Sequence, residues 1–289
     1  MTELAAGEKL GYIGLGNMGA SMATRLVSWP GGLTVFDVRA AAVAPLVEAG
    51  ATAVGSIAEV AAADVISVTV LDDTQVRRVI LGEDGLARNA KPGTVIAIHS
   101  TIRDTTAAEL AAQLAGDGIH VIDAPVSGGA GAAASGRLAA MVGAPREVYE
   151  RVEPIFKQWA SLVIHAGEPG AGTRMKLARN MVTFTSYAAA GEAMKLADAA
   201  GLDLQALGRV VRHTDALTGG PGAIMIRDNL EDLEPGHWLY DIFMHTRGLG
   251  EKDLILALGL GDSLGVDLPL AELAVSILAA RLGVPHRTE

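Results

Sequence analysis

Along the first half of the chain, short apolar runs alternate with longer segments of helical period. Lys9 to Ile13 (KLGYI), Leu33 to Phe36, Asp64 to Leu71 (DVISVTVL), Thr94 to Ile98 and His120 to Ile122 read as strands. The stretch through Met22 and Leu26, Ala40 to Glu48, Thr74 to Leu81 and Thr105 to Leu114 read as helices. Strands and helices in strict alternation predict βαβ units and a parallel sheet. The strands lack a clean polar/apolar alternation, as expected when both faces of a sheet are covered. Leu138 to Val142, a helix near Glu147 to Trp159, and Leu162 to His165 extend the sheet. Past Gly172 the pattern changes. Arg174 to Ala200 reads as one long helix rich in Ala and Met, and Leu204 to His213, Gly248 to Leu260 and Leu270 to Leu282 read as further helices. The expected architecture is an α/β domain over residues 1–167 with a mostly parallel sheet, then an all-α domain over 168–289 linked by the long helix. Gly167, Gly170 and Gly172 mark the boundary.

Composition narrows the function classes. The 289 residues are half hydrophobic, enough for a sizeable core, and suit roughly two domains. Cysteine is absent, which removes disulfides, thiolate zinc sites and cysteine nucleophiles and fits a cytoplasmic setting. No run of about 18 apolar residues escapes a charged or polar break, so no membrane partner is expected. Met1 to Leu4 lack the basic start of a secretory signal. Net charge is −10 with no Lys/Arg cluster, so no nucleic-acid partner is expected, although a local pocket can still hold an anion. The seven histidines show no metal-ligand spacing, and no metal is expected. Gly261 to Gly265 matches the G-x-S-x-G pattern, but between two helices rather than on the strand–turn–helix such a nucleophile needs. No G-x-x-x-x-G-K-[ST] is present.

The 35 glycines gather at turns, and one cluster has chemical meaning. Gly14, Gly16 and Gly19 form a G-x-G-x-x-G directly after a strand and at the opening of a helix, the setting of a Rossmann-like dinucleotide site. Gly14 allows the tight turn, Gly16 lets the backbone approach a pyrophosphate, and Gly19 lets helix and strand pack closely. The helix start, with Asn17 and Met18, offers N–H groups and a partial positive charge to phosphate. A plain glycine turn is the alternative. Asp37 ends the second strand, where a carboxylate accepts hydrogen bonds from the ribose hydroxyls of NAD and repels the extra phosphate of NADP. Arg39 nearby is the feature that would favour NADP, so NAD is expected first and NADP second.

Four segments together resemble the β-hydroxyacid dehydrogenase family, which includes 3-hydroxyisobutyrate dehydrogenase and tartronate semialdehyde reductase. Tyr12 to Met22 (YIGLGNMGASM) is similar to its cofactor signature, and Asp123 to Gly129 (DAPVSGG) to its substrate loop. Gly170 to Asn180 (GAGTRMKLARN) resembles its G-x-G-x-x-x-K-x-x-N-N catalytic helix, and Lys252 to Leu254 (KDL) its late element. Order and spacing cover nearly the whole chain. Arg179 departs from the first Asn of the family's pair, and Arg137 from a frequent Thr; the latter bears on substrate identity more than on reaction type.

The resemblance implies a reaction and roles. Oxidising a β-hydroxy acid needs a nicotinamide against the carbinol carbon, a base for the hydroxyl proton and donors for the carboxylate. Lys176 is the candidate acid/base; a lysine near pKa 10.4 must be desolvated or set near other cations to work around neutral pH. Asn180, one turn on, would hydrogen-bond the substrate hydroxyl or fix the lysine. From spacing alone the pair would read as a solvated helix face. Ser127, Gly128 and Gly129 would receive the carboxylate, since successive small residues expose backbone N–H groups; a plain connecting loop is the alternative. Ser100 and Thr101 end a strand on the cofactor side of an open α/β sheet and by resemblance lie near the nicotinamide ribose, with Leu71 packing alongside. Lys252 would reach toward the cofactor with Asp253 in support; an ion pair on a helix surface is the alternative. Asp72 and Asp73 read as a helix cap. The implied activity is NAD-dependent hydride transfer at the β-carbon of a short hydroxy acid, 3-hydroxyisobutyrate first and tartronate semialdehyde next, without decarboxylation. An imine reductase on the same scaffold, disfavoured by Lys176, and a cofactor-sensing protein without catalysis stand as rivals. The Ala- and Met-rich helices suggest a homodimer or homotetramer.

Overall fold

The computed structural model describes residues 7–286, so the reading of Met1 to Leu4 lies outside it. β1 (Leu10–Ile13), α1 (Asn17–Thr24), β2 (Leu33–Phe36), α2 (Ala40–Glu48), β3 (Thr52–Ala53) and α3 (Ile57–Val60) open the fold. β4 (Val65–Val68), α4 (Asp73–Leu81), α5 (Leu86–Asn89), β5 (Val95–Ile98), α6 (Thr106–Leu114) and β6 (His120–Asp123) continue the alternation. β7 (Val126–Ser127), α7 (Gly129–Ala134), β8 (Leu138–Gly143), α8 (Arg146–Phe156) and β9 (Ala160–Gly167) complete the sheet. α9 (Ala171–Ala199), α10 (Leu204–Thr218), α11 (Tyr240–Leu264) and α12 (Pro269–Leu282) follow with no further strand among the described residues. The chain is thus a Rossmann-like sheet domain, a long helix and an all-helical domain.

The described strands form one sheet in the order β3-β2-β1-β4-β5-β6-β8-β7, with β9 beside β8. β1 to β6 pair in parallel; β8 runs antiparallel to β6 and β7, and β9 lies parallel to β8. The order reverses between β1 and β4, and ligands of such sheets bind at the carboxyl ends of strands at that reversal. Successive strand residues feed opposite cores. Leu10, Tyr12, Val95 and Ala97 join Trp29, Phe156 and Trp159 on one face, while Ile13, Ile96 and Ile98 join Ile80, Leu86 and Leu110 on the other. This double burial explains why the strands read as apolar runs.

By its internal contacts the chain divides into two compact units, and the division falls inside α9 between Arg179 and Asn180. Several elements differ in extent from the sequence pattern. α9 begins at Ala171, α10 runs to Thr218, and α11 starts at Tyr240 and passes through Gly248 and Gly250, which look like helix breakers in sequence. β3, α3, α5 and β7 are too short to generate a period. No described helix is long and apolar enough to cross a membrane.

Candidate active site

The glycine turn after β1 has the shape a dinucleotide needs. Gly14 takes φ +92°, and a Cβ there would lie 2.1 Å from the Thr69 carbonyl oxygen. A Cβ on Gly19 would lie 2.0 Å from the Gly14 carbonyl oxygen, so α1 presses against the turn. A Cβ on Gly16 would meet nothing within 4 Å. The first glycine bends, the third packs, and the second opens the backbone to an incoming group, so these residues fit a pyrophosphate. Gly16 caps α1, Asn17 is exposed and Met18 is half-buried. A cleft of about 440 Å³ opens here, lined by Leu15, Gly16, Asn17, Ser21 and Arg39 among others.

Asp37 directly follows β2, and two residues that line this cleft, Leu15 and Arg39, donate to it. Its Oδ2 accepts from the Leu15 N–H at 2.7 Å, and its Oδ1 from Arg39 N–H at 2.8 Å and Arg39 Nε at 3.2 Å. Burial pushes the carboxyl pKa up, but hydrogen bonds from Arg39 and Leu15 outweigh it and hold the group below its ordinary value. The carboxylate is therefore charged, and it ties the glycine turn to the second strand.

The ends of β4 and β5 are fastened to each other. Ser100 Oγ donates to the Val70 carbonyl at 2.6 Å and accepts from the Val70 N–H at 2.9 Å. Leu71, next in the chain, is 80% exposed, and Thr101 is exposed. Asp72 caps α4 by accepting from Gln75 N–H, and Asp73 accepts from Arg103 N–H and Thr106 Oγ1, which gives the acid pair a structural role. Beneath these ends lies His99, only 3% exposed. Its Nδ1 donates to the Ala124 carbonyl at 2.8 Å, so Nε2, 3.0 Å from Ser67 Oγ, is the acceptor. Burial pushes its pKa down to about 4, despite the opposing hydrogen bond to Ala124.

The DAPVSGG segment and the start of α9 come together. β7 pairs with β8 through Val126 and Ser127, and Gly128 (φ +135°) and Gly129 (φ +74°) turn the chain into α7. Lys176 is 8% exposed, and its Nζ donates to the Val126 carbonyl at 2.6 Å. Desolvation, with the Arg179 charge one turn away, lowers its pKa from the usual lysine value. The structure thus brings Lys176 to the segment that carries Ser127, Gly128 and Gly129. Asn180 lies one turn further along α9 and is half-buried. Lys252 lies on α11, where its Nζ pairs with Asp253 at 3.0 Å and both side chains are exposed. Asp123 was legible in sequence only as a motif letter. It is fully buried and accepts from Gly170 N–H at 2.6 Å and Thr173 N–H at 2.5 Å. No local signal links a strand-end carboxylate to a helix start 47 residues later.

Comparison with known proteins identifies the family. Residues 9–167 match the family described as the NAD binding domain of 6-phosphogluconate dehydrogenase. Residues 170–284 match the family described as NAD-binding of NADP-dependent 3-hydroxyisobutyrate dehydrogenase. The chain belongs to the β-hydroxyacid dehydrogenase family and is a nicotinamide-dependent oxidoreductase. The crystal structure of an oxidoreductase from Mycobacterium avium superposes with a TM-score of 0.93 at 73% identity, over 96% of this chain and 100% of that one. An L-threonate dehydrogenase of Escherichia coli is 35% identical over 94% of this chain and 88% of its own. A 3-hydroxyisobutyrate dehydrogenase of Pseudomonas aeruginosa is 32% identical over 96% of this chain and 92% of its own.

Proposed function

We propose that this enzyme transfers a hydride between NAD and the β-carbon of a short β-hydroxy acid of the 3-hydroxyisobutyrate type, without decarboxylation. The reading rests above all on Lys176, a buried amine hydrogen-bonded one residue before Ser127. When bound, the nicotinamide supplies the hydride acceptor. Ser127 Oγ and the N–H groups of Gly128 and Gly129 hold the substrate carboxylate, because a turn of small residues leaves its backbone N–H groups open to an anion. Lys176 in its neutral form takes the hydroxyl proton during oxidation; as an ammonium it returns a proton during reduction. The lowered pKa enlarges the neutral fraction near physiological pH. Asn180, on the same helix, donates to the substrate oxygen. Gly14, Gly16, Asn17, Met18 and Gly19 hold the pyrophosphate end, and Leu71, Ser100, Thr101 and Lys252 serve the nicotinamide end. Asp37 favours NAD, since its charged carboxylate would repel an added 2′-phosphate.

Steady-state kinetics with NAD and NADP on 3-hydroxyisobutyrate, L-threonate and L-serine, and with tartronate semialdehyde in reduction, test the substrate assignment. Turnover confined to tartronate semialdehyde selects the alternative. Lys176→Ala is expected to lower kcat about 10²–10⁴-fold while NADH still binds. Near-normal turnover would refute the assignment of Lys176.

A second copy of the chain belongs to the same reading, as a homodimer or homotetramer. Support comes from α9 beyond Arg179, where Met181, Phe184 and Tyr187 are 67%, 62% and 68% exposed. Aromatic side chains each bury about 150–250 Å² when covered, and a stable interface takes about 800 Å² per partner. α10 has no buried residue and exposes Val210, Val211 and Leu217. Together these side chains offer an area of that order.

A further inference from the structure

We propose that Asp123 is the positioning residue for Lys176: its carboxylate fixes the first turn of α9 against β6, and so sets where the lysine amine stands over the Val126 carbonyl. The inference rests on the assignment of Lys176 as acid/base.

A helix start is usually capped by the side chain of its own N-cap residue. Here the position before α9 is Gly170, at φ +94°, which has no side chain to offer. The cap comes instead from the sheet: Asp123 Oδ1 accepts from the N–H of Gly170, just before the helix, and Oδ2 from the N–H of Thr173 in its first turn. A local cap would serve helix stability equally well. A remote one adds a constraint, since it joins the helix to a particular strand residue. That strand residue opens the same short segment that holds Val126, Ser127, Gly128 and Gly129. Lys176 stands one turn after Thr173, so the helix is tied to this segment at both ends of that turn, through Asp123 and through Val126.

The surroundings leave little slack. A Cβ on Gly143 would lie 2.2 Å from Asp123 Oδ1, and a Cβ on Gly172 would lie 2.2 Å from the Met141 carbonyl oxygen. Helix start, β8 and carboxylate are in backbone contact, and this explains the need for glycine at 172. Burial pushes the Asp123 pKa up, against the hydrogen bonds from Gly170 and Thr173 that pull it down. A misplacement near 1 Å at a reacting group lowers rate about 10²-fold. The tether therefore acts on kcat through Lys176.

The test is a double-mutant cycle on the full-length protein, with kcat normalised to the concentration of NADH-binding sites by fluorescence titration. Asp123→Asn keeps shape and one acceptor but presents an amide N–H to the other helix donor. It is expected to lower kcat at least about tenfold, with the NADH Kd changed less than about twofold. On a Lys176→Ala background the same change is expected to leave the residual rate unaltered. If Asp123→Asn does not fold, Asp123→Glu, which keeps the charge and displaces it by one methylene, is read in the same cycle. Unchanged kcat in the folded variant, or an equal loss with and without Lys176, overturns the positioning role. Normal turnover of Lys176→Ala alone would instead overturn the acid/base assignment beneath it.

Discussion

The sheet-bearing unit and the helical unit bury their apolar side chains very differently. Among the described residues, the sheet unit holds two buried clusters of twenty-eight and eighteen side chains, one on each face. The helical unit holds one of four: Leu239, Phe243, Leu282 and Val284. The contrast follows from patterning. In β1, β4 and β5 every residue is buried, because helices cover both faces of the middle of the sheet. In α10 the apolar positions Val210, Val211 and Leu217 remain in solvent. The hydrogen bonds that shape the candidate chemistry, around Asp37, Ser100, Asp123 and Lys176, all lie in the unit whose core closes on itself. Rigid support for a reacting group is thereby separated from the surface available for association.

Acid should strike the closed unit first. His99 is neutral and buried, with a folded pKa of about 4 against 6.5 for the free side chain. Above pH 6.5 its contribution is fully present; as pH falls toward 4 the unfolded chain takes a proton that the folded chain refuses. Stability is expected to drop by about 3 kcal/mol across that window from this residue. Urea unfolding at pH 7, 6 and 5 measures the slope, and His99→Gln should flatten it. An identical slope in the variant would show that the histidine has no such part.

Charging the open unit should act on assembly and leave the nucleotide site alone. Phe184→Lys places an ammonium in the exposed apolar row of α9 and is expected to weaken self-association by about 2 kcal/mol or more. Light scattering coupled to size exclusion should report a smaller mass at micromolar concentration. NADH affinity measured per folded subunit should persist; an unchanged mass would remove Phe184 from the association surface. Asp37→Asn is the mildest change. Loss of a charged hydrogen-bond acceptor should weaken NAD binding by about 1.5 kcal/mol and narrow its advantage over NADP. Titration with both cofactors checks this, and an unaltered ratio would mean that the carboxylate serves the turn alone.

Much of this molecule was legible in its residues. β2 and α2 fall on the predicted bounds because turn glycines punctuate them, Gly32 just before β2 and Gly50 just after α2. The glycine turn was readable because each glycine answers a separate steric demand, now visible at Gly14 and Gly19. The long helix was visible as one periodic stretch, but its first turn was not, because its cap lies in β6 rather than in the preceding residues. The neutral state of His99 was equally hidden, since burial and its partners Ser67 and Ala124 are assembled from three separate strand ends. Lys176 was singled out through its resemblance to a motif, whereas its contact with Val126 depends on the antiparallel β7, two residues long and without any period.

The central claim is that the amine of Lys176 serves as the proton acceptor during oxidation. The most direct measurement is the pH dependence of kcat/KM for NAD-dependent oxidation of 3-hydroxyisobutyrate in the parent enzyme and in Lys176→Ala. The account predicts activity that falls as pH drops through an apparent pKa below that of free lysine, about 10.4, and predicts that this limb disappears in the variant. A profile of the same shape and height in both proteins would contradict it.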